Sequence, residues 1–68
     1  MQLVINTRGS YLKKANNCFL VKNDEKSFEV SADKLDTILI TTSATITTDA
    51  IEFAVEKNID IIFLDSYG

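Results

Sequence analysis

The chain has 68 residues, 46% of them hydrophobic and 25% charged, which is the composition of a globular domain with one small core rather than of a disordered tail. It contains no histidine and one cysteine, Cys18, which excludes an intrachain disulfide, the usual catalytic base and histidine metal ligands. The net charge of -3 argues against strong nonspecific binding of nucleic acid by the chain as a whole. No apolar run resembles a signal peptide or membrane span, so we expect a soluble, intracellular protein without membrane partners.

The first half of the chain predicts a meander of short strands. After the opening strand comes a turn in which Gly9 is free to adopt positive φ. The dipeptide Asn16-Asn17 tolerates the left-handed backbone of a tight hairpin. Further on, Phe28 and Val30 alternate with polar residues, which is typical of a strand with one buried face. The predicted strands cover residues 2–6, 11–14, 18–21 and 27–31.

The second half predicts a strand, a helix and a second strand. The segment 37–41 is β-branched and apolar on both faces, which predicts a central strand covered on both sides rather than an edge strand. A Ser/Thr-rich stretch at 41–48 leads to a helix over 48–57, which Asn58 ends in the left-handed conformation. The strand at 60–64 then follows after a short link. Such a crossover unit predicts that the strands at 37–41 and 60–64 are parallel neighbours.

The helix is predicted to bury an apolar stripe of Ile51, Ala54 and Val55, with Ala50 beside it. Phe53 falls off that stripe. We therefore expect Phe53 to make a second contact, with a neighbouring sheet or subunit.

Two details complete the predicted fold. Thr47 or Thr48 is expected to cap the helix, and Ile46 to enter the core from a short extended segment. The whole predicts an α+β fold that is mostly β. It consists of a meander and one strand-helix-strand unit, arranged as a small two-sheet domain.

The segment DIIFLD, which ends at Asp65, resembles the phospho-acceptor strand of response-regulator receiver domains. That chemistry needs two further acidic residues after the first strand, a lysine on a later strand and a magnesium ion. Here the first strand is followed by NTR at 6–8, and the adjacent acidic residues Asp24 and Glu25 sit in a turn. We therefore favour a structural role for Asp65, accepting backbone N–H bonds in a turn.

The other polar clusters predict no catalytic, cofactor or metal site in this chain. Asp49, Glu52 and Glu56 share helix faces, but a magnesium site would need a further ligand and shelter, so we interpret them as a solvated acidic face. The Ser/Thr cluster lacks a base that would activate a hydroxyl. Cys18 alternates with Phe19 in a strand and is interpreted as a packing residue.

Basic residues gather on and beside the first hairpins. Residues 1–34 carry six basic and four acidic side chains, whereas 35–68 carry one basic and six acidic. Tyr11 and Phe19 interleave with the basic residues, which fits contact with a nucleic-acid backbone and equally fits lysines that protect edge strands from aggregation. The basic residues concerned are Arg8, Lys13, Lys14, Lys22 and Lys26.

The order of these parts resembles the N-terminal β-rich domain of the CRISPR-associated adaptation integrase, a metal-dependent DNA endonuclease that inserts new spacers into CRISPR arrays. The resemblance rests on the opening strand, on RGSYLKKANNCFLV and mainly on DTILITTSATITTDAIEFAVEKNIDIIFLDSYG. In this last segment the family shows an apolar strand, a Ser/Thr-rich approach to a helix that begins near an Ala-apolar pair, here Ala50-Ile51, and a strand I-x-I-I-F-L-D-x-x-G. Asn58 stands where the family commonly has glycine.

The resemblance implies that residues 1–68 are the N-terminal domain of a protein several times longer. In that family a helical C-terminal domain supplies the Glu, His and Asp that bind Mg or Mn and catalyse strand transfer on DNA. None of those positions exists in this sequence, so we expect the parent to be an enzyme and this piece to be non-catalytic. A second CRISPR adaptation subunit would bind the missing domain, in a bacterial or archaeal cytoplasm.

The resemblance also implies that this domain joins two copies into a homodimer and helps hold the ends of DNA. Arg8, Lys13 and Lys14 are then the expected DNA neighbours. Some relatives place an aromatic wedge just before the turn glycine, where this chain has Arg8. Two alternatives stay open: a receiver-like phospho-acceptor domain that uses Asp65, and an unrelated small β-rich interaction domain.

Overall fold

The computed structural model describes residues 1–64, and within them the chain forms seven strands, one α-helix and one short 3-10 helix. The predicted fold, mostly β with one helix and two sheets, is confirmed. In chain order the elements are β1 (Gln2–Ile5), β2 (Ser10–Ala15), β3 (Cys18–Lys22), β4 (Ser27–Ser31), the 3-10 helix (Ala32–Lys34), β5 (Thr37–Ile40), β6 (Ala44–Ile46), α1 (Thr48–Glu56) and β7 (Asp60–Phe63).

The first sheet has three parallel strands in the order β1-β5-β7. The central position of β5 and its parallel pairing with β7 are confirmed. The prediction of a meander that begins with β1 is wrong, because β1 pairs with β5 and not with β2. Leu3 and Ile5 lie beside Ile38 and Ile40 in the register and form the buried face of this sheet with them. This pairing spans 35 positions of sequence, and no local pattern indicates it.

The second sheet has four strands in the order β4-β3-β2-β6. The predicted hairpin between β2 and β3 is confirmed, with Ala15 opposite Cys18 and Asn16 at a φ of 57°. β6 adds to the other side of β2 in parallel. Gly9 has a φ of 81°, and its N–H donates to the carbonyl of Ser43 at 3.0 Å, which fixes the turn before β2 to the approach to β6.

Both ends of the helix are closed as the sequence predicts. Of the two candidate threonines, Thr47 is the N-cap, because its hydroxyl accepts the N–H of Ala50 at 3.2 Å. Asn58 has a φ of 57°, the left-handed conformation expected at the other end. The N–H of Ile59 then donates to the carbonyl of Ala54 at 2.9 Å and leads the chain into β7.

The helix buries a different face from the predicted one. Ala50, Phe53 and Ala54 are buried, whereas Ile51 and Val55 are 41% and 70% exposed. The predicted stripe is therefore wrong at Ile51 and Val55, and Phe53 belongs to the core. Both stripes have helical spacing, and the one that includes an aromatic ring buries more apolar area.

The inner faces of both sheets and the buried face of α1 share one hydrophobic core. Leu12, Phe19 and Ile38 are fully buried, and the ring centroids of Phe19 and Phe53 lie 5.1 Å apart. Because side chains alternate along a strand, each sheet has a second face that points away from this core. Both outer faces carry side chains that are partly open to solvent, among them Val4 and Tyr11.

Candidate interaction surfaces

The outer face of the four-stranded sheet presents an aromatic ring beside two lysines. In β2 the side chains of Ser10 and Leu12 are buried, so Tyr11 and Lys13 alternate with them on the outer face. Lys22 of β3 lies directly opposite Tyr11 in the antiparallel register. Tyr11 is 40% exposed although it sits on an interior strand of the sheet, between β3 and β6.

An open groove of about 390 Å³ runs along these side chains. Its lining carries two ammonium groups and one carboxylate, so it has a net charge of +1 at neutral pH, opposite in sign to the whole chain. The groove is lined by Gly9, Tyr11, Lys13, Lys22, Asn23 and Asp24.

The three residues predicted to approach DNA do not share one surface. Lys13 lies on the outer face, whereas Lys14 follows it in β2 and points to the other side of the sheet. There the Nζ of Lys14 lies 4.8 Å from the centroid of the Phe53 ring. Arg8 is exposed in the turn before Gly9, next to the groove in sequence.

The remaining residues of the predicted basic and aromatic pattern are also separated. Phe19 is fully buried, so it offers no ring to a ligand. Lys26 lies with its Nζ 5.6 Å from the centroid of the Phe28 ring. Of the pattern seen in the sequence, the structure gathers only Tyr11, Lys13 and Lys22 into one site.

The outer face of the three-stranded sheet carries an apolar row that the sequence does not predict. Val4, Leu39 and Ile62 are aligned across β1, β5 and β7 in the observed register. Val4 and Ile62 are each 43% exposed, and Leu64, just beyond β7, is 52% exposed. Parallel sheets occur almost only with both faces covered, so this row is a candidate contact surface. The only sequence signal for it is the apolar character of β5 on both faces.

The acidic residues form no metal site in the described part of the chain. Asp49, Glu52 and Glu56 are all exposed on α1, and no group of three or more Cys, Asp or Glu within residues 1–64 could hold an ion. Asp65, the acceptor in the receiver-like alternative, lies outside the described residues. Among residues 1–64 there is likewise no helix both long and apolar enough to cross a membrane.

These features define the class of the protein: a small domain in which two β-sheets and one helix enclose a single core and leave two outer faces for contacts. The profile of the family described as CRISPR associated protein Cas1 matches residues 3–68. The chain therefore belongs to the Cas1 family and corresponds to its N-terminal portion. The resemblance seen in the sequence is confirmed, and the receiver-like and unrelated-domain alternatives lose their support.

Two relatives have the same family name. CRISPR-associated endonuclease Cas1 2 of Saccharolobus solfataricus is 38% identical over 64 residues, which cover 94% of this chain and 21% of the relative. CRISPR-associated endonuclease Cas1 1 of Archaeoglobus fulgidus is 35% identical over 69 residues, covering 100% of this chain and 20% of the relative. The chain thus spans about one fifth of the length of the curated relatives that it matches.

Solved structures share the fold. A CAS1 protein from Thermotoga maritima superposes with a TM-score of 0.85 at 17% identity, over 96% of this chain and 21% of that protein. A partial Cas6-RT-Cas1–Cas2 complex gives a TM-score of 0.90 at 23% identity, over 100% of this chain and 21% of that one. A TtCas1–DNA complex gives 0.71 at 11% identity, over 82% and 21%. At these identities the similarity concerns the fold alone.

Proposed function

We propose that this chain is the N-terminal scaffold domain of a Cas1 integrase, and that residues 1–68 have no catalytic activity of their own. The observation that carries the proposal is the family match over residues 3–68, together with a span of about one fifth of the endonucleases it resembles. The intact protein would be a metal-dependent DNA endonuclease that integrates new spacers into CRISPR arrays, and that work takes place in the cytoplasm of a bacterium or archaeon.

The divalent metal, Mg or Mn, belongs in this proposal to the helical C-terminal domain of the parent. The residues present here do not fit a metal, because residues 1–64 hold no group of three potential ligands. The same missing domain would bind the second adaptation subunit. One fold relative was solved in a complex that includes Cas2 and another in a complex with DNA, which supports these two partner classes for the parent.

The proposed scaffold role is dimerisation through the apolar row Val4, Leu39 and Ile62. This row crosses all three strands of its sheet and is partly exposed, although parallel sheets are ordinarily covered on both sides. A second copy that packs the same row against it would cover both sheets at once, which is the arrangement of a two-fold symmetric dimer.

In the proposed assembly, DNA approaches the basic residues of β2 and of the turn before it. Arg8 in the turn and Lys13 on the outer face are exposed toward solvent to different degrees, and Lys14 projects on the helix side of β2. Such lysine and arginine contacts would position the DNA backbone without reading its sequence.

Sedimentation of the purified chain over a range of concentrations tests the dimer. Ile62→Asp places a carboxylate in the row and is expected to yield monomers. Val55→Asp is the matched control, because Val55 is a 70% exposed apolar residue on the helix and outside the row. A wild-type chain that stays monomeric at every concentration, or equal effects of the two substitutions, would contradict dimerisation through this row.

A second experiment tests the non-catalytic assignment. Rigorously purified chain, incubated with duplex DNA and either Mg or Mn, is expected neither to cleave nor to join strands. Cleavage that appears with the metal, disappears with a chelator and copurifies with the chain through several columns would show that residues 1–68 carry their own active site.

A further inference from the structure

We propose that the groove on the outer face of the four-stranded sheet binds single-stranded DNA, with a base stacked on Tyr11 and its phosphates held by Lys13 and Lys22. This inference deepens the proposed function, because it takes the DNA of that assembly as its ligand. It concerns a different surface from the apolar row of the dimer, so the two can fail separately.

Tyr11 supplies a rigid stacking platform. Its backbone is paired on both sides, with Lys22 of β3 and with Thr45 of β6, so the ring projects from an interior strand and not from a loop. The side chain is nevertheless 40% exposed. An aromatic ring on a sheet face can stack on any base, because every base has a flat π-face. Because the strand is already held in the sheet, the side chain loses little conformational entropy on binding.

Lys13 and Lys22 supply the charge. Both line the same groove as Tyr11, one from each strand of the hairpin. Within residues 1–64 the single ion pair joins the N-terminal ammonium group to Asp36, so neither lysine forms a close ion pair with a carboxylate of that part of the chain. Two ammonium groups beside an aromatic ring match a nucleotide, which presents a base flanked by phosphates.

The shape and charge of the groove favour a single strand over a duplex. Its volume of about 390 Å³ falls in the range of small-ligand sites and accommodates a nucleotide. In a duplex the base faces are covered by their neighbours, except at the ends. A lining with a net charge of +1, on a chain of net charge -3, is too weakly basic to hold a duplex by its backbone alone.

Fluorescence anisotropy with a labelled oligothymidylate at low salt tests the site, with a duplex of the same length as comparison. Wild-type chain is expected to bind the single strand more tightly. Tyr11→Ala is expected to weaken that binding about tenfold, and Tyr11→Phe, which keeps the ring, to change it by less than about twofold. Because Tyr11 is partly exposed, we expect each variant to fold, and circular dichroism checks this.

The lysines are tested by salt dependence. Lys13→Ala and Lys22→Ala are each expected to reduce the slope of log K against log salt by about 0.7, the contribution of one phosphate contact on a single strand. Lys34→Ala is the charge-matched control. It follows β4 in the 3-10 helix, which is joined to the far end of the hairpin by the bond from the Ala32 N–H to the Asn17 carbonyl.

The acidic residue of the groove gives a test in the opposite direction. Asp24→Asn is expected to tighten binding, because Asp24 lines the groove, whereas Glu25→Gln in the same turn is expected to have a smaller effect. Equal or tighter binding of the duplex, or a loss in Tyr11→Ala no larger than in Lys34→Ala, would overturn the proposal. A dimer that forms normally while the oligothymidylate fails to bind would reject this site and leave the proposed scaffold function standing.

Discussion

The ammonium group of Lys14 lies 4.8 Å from the centre of the Phe53 ring, within the range of a cation–π interaction. Lys14 comes from β2 and Phe53 from the buried face of α1, so this contact joins the helix to the four-stranded sheet at the border of the core. Lys57, at the end of the helix, approaches the same ring at 5.9 Å. Lys13, the preceding residue, points to the opposite side of the sheet.

Substitutions of the two adjacent lysines are therefore expected to have different effects on the free energy of unfolding. Lys14→Ala should lower the free energy of unfolding by about 0.5–1 kcal/mol, the contribution of an exposed cation–π contact. Lys13→Ala should change it by less than about 0.5 kcal/mol, as is usual for surface substitutions. Urea denaturation followed by circular dichroism measures both. Equal losses in the two variants would show that the ring does not interact with Lys14 in solution.

The corrected helix face leads to a second prediction. Phe53→Ala removes a ring that is 4% exposed and in contact with Phe19, so it should cost about 3–5 kcal/mol. A chain of this size has a total stability of only about 3–10 kcal/mol, so much of the variant would be unfolded at room temperature.

If the alanine variant does not fold, the free energy of unfolding can be measured with Phe53→Leu instead. It retains an apolar side chain but loses the aromatic pair, and is expected to cost at least about 1 kcal/mol. Val55→Ala is the control, at a position 70% exposed, and should stay within about 0.5 kcal/mol of wild type. A larger loss at Val55 than at Phe53 would restore the stripe predicted from the sequence.

Local features of this fold could be predicted from the sequence because local chemistry determines them. Asn16 and Asn58 both adopt a φ of 57°, a conformation that asparagine tolerates better than most residues. The hairpin between β2 and β3, the extent of α1 and its N-cap follow from patterns of a few residues each. The parallel pair β5 and β7 also followed, because a short strand-helix-strand unit leaves few arrangements.

Features that depend on distant partners could not be predicted. The choice between Phe53 and Val55 as the buried residue depends on Phe19, which is far away in sequence and supplies the second ring. The apolar row on the outer sheet face requires the pairing of Val4 with Leu39, and thus the position of β1, which the sequence does not reveal. The separation of Lys13 from Lys14, by contrast, needs no distant partner, because adjacent side chains of the predicted strand already point to opposite faces.

The left-handed end of the helix gives a third prediction. Asn58→Ala removes the polar side chain that helps asparagine adopt a φ of 57°. The substitution should therefore lower the free energy of unfolding by about 1 kcal/mol. Asn58→Gly should be neutral or stabilising, because glycine adopts this conformation freely. Glu56→Ala, in the last residue of α1, is the control and should have little effect. Thermal unfolding distinguishes them, since about 1 kcal/mol corresponds to a shift of roughly 4–8 °C in a domain of this size.

A last prediction concerns the other end of the helix, where two adjacent threonines are chemically equivalent in the sequence but not in the structure. The hydroxyl of Thr47 accepts the N–H of Ala50 at 3.2 Å, whereas Thr48 is the first residue of the helix and is exposed. Thr47→Ala leaves that N–H without its partner and should lower the melting temperature by an amount equivalent to about 1 kcal/mol. Thr47→Ser keeps the hydroxyl and should restore most of the loss.

Thr48→Ala is the matched control for the cap and removes the same atoms one residue later. Because alanine has a higher helix propensity than threonine, we expect this variant to be as stable as wild type or slightly more stable. The Thr47 and Thr48 variants are compared by thermal unfolding under identical conditions. An equal loss of stability in the Thr48 and Thr47 variants would show that Thr47 is not the N-cap. The helix would then begin at a different residue.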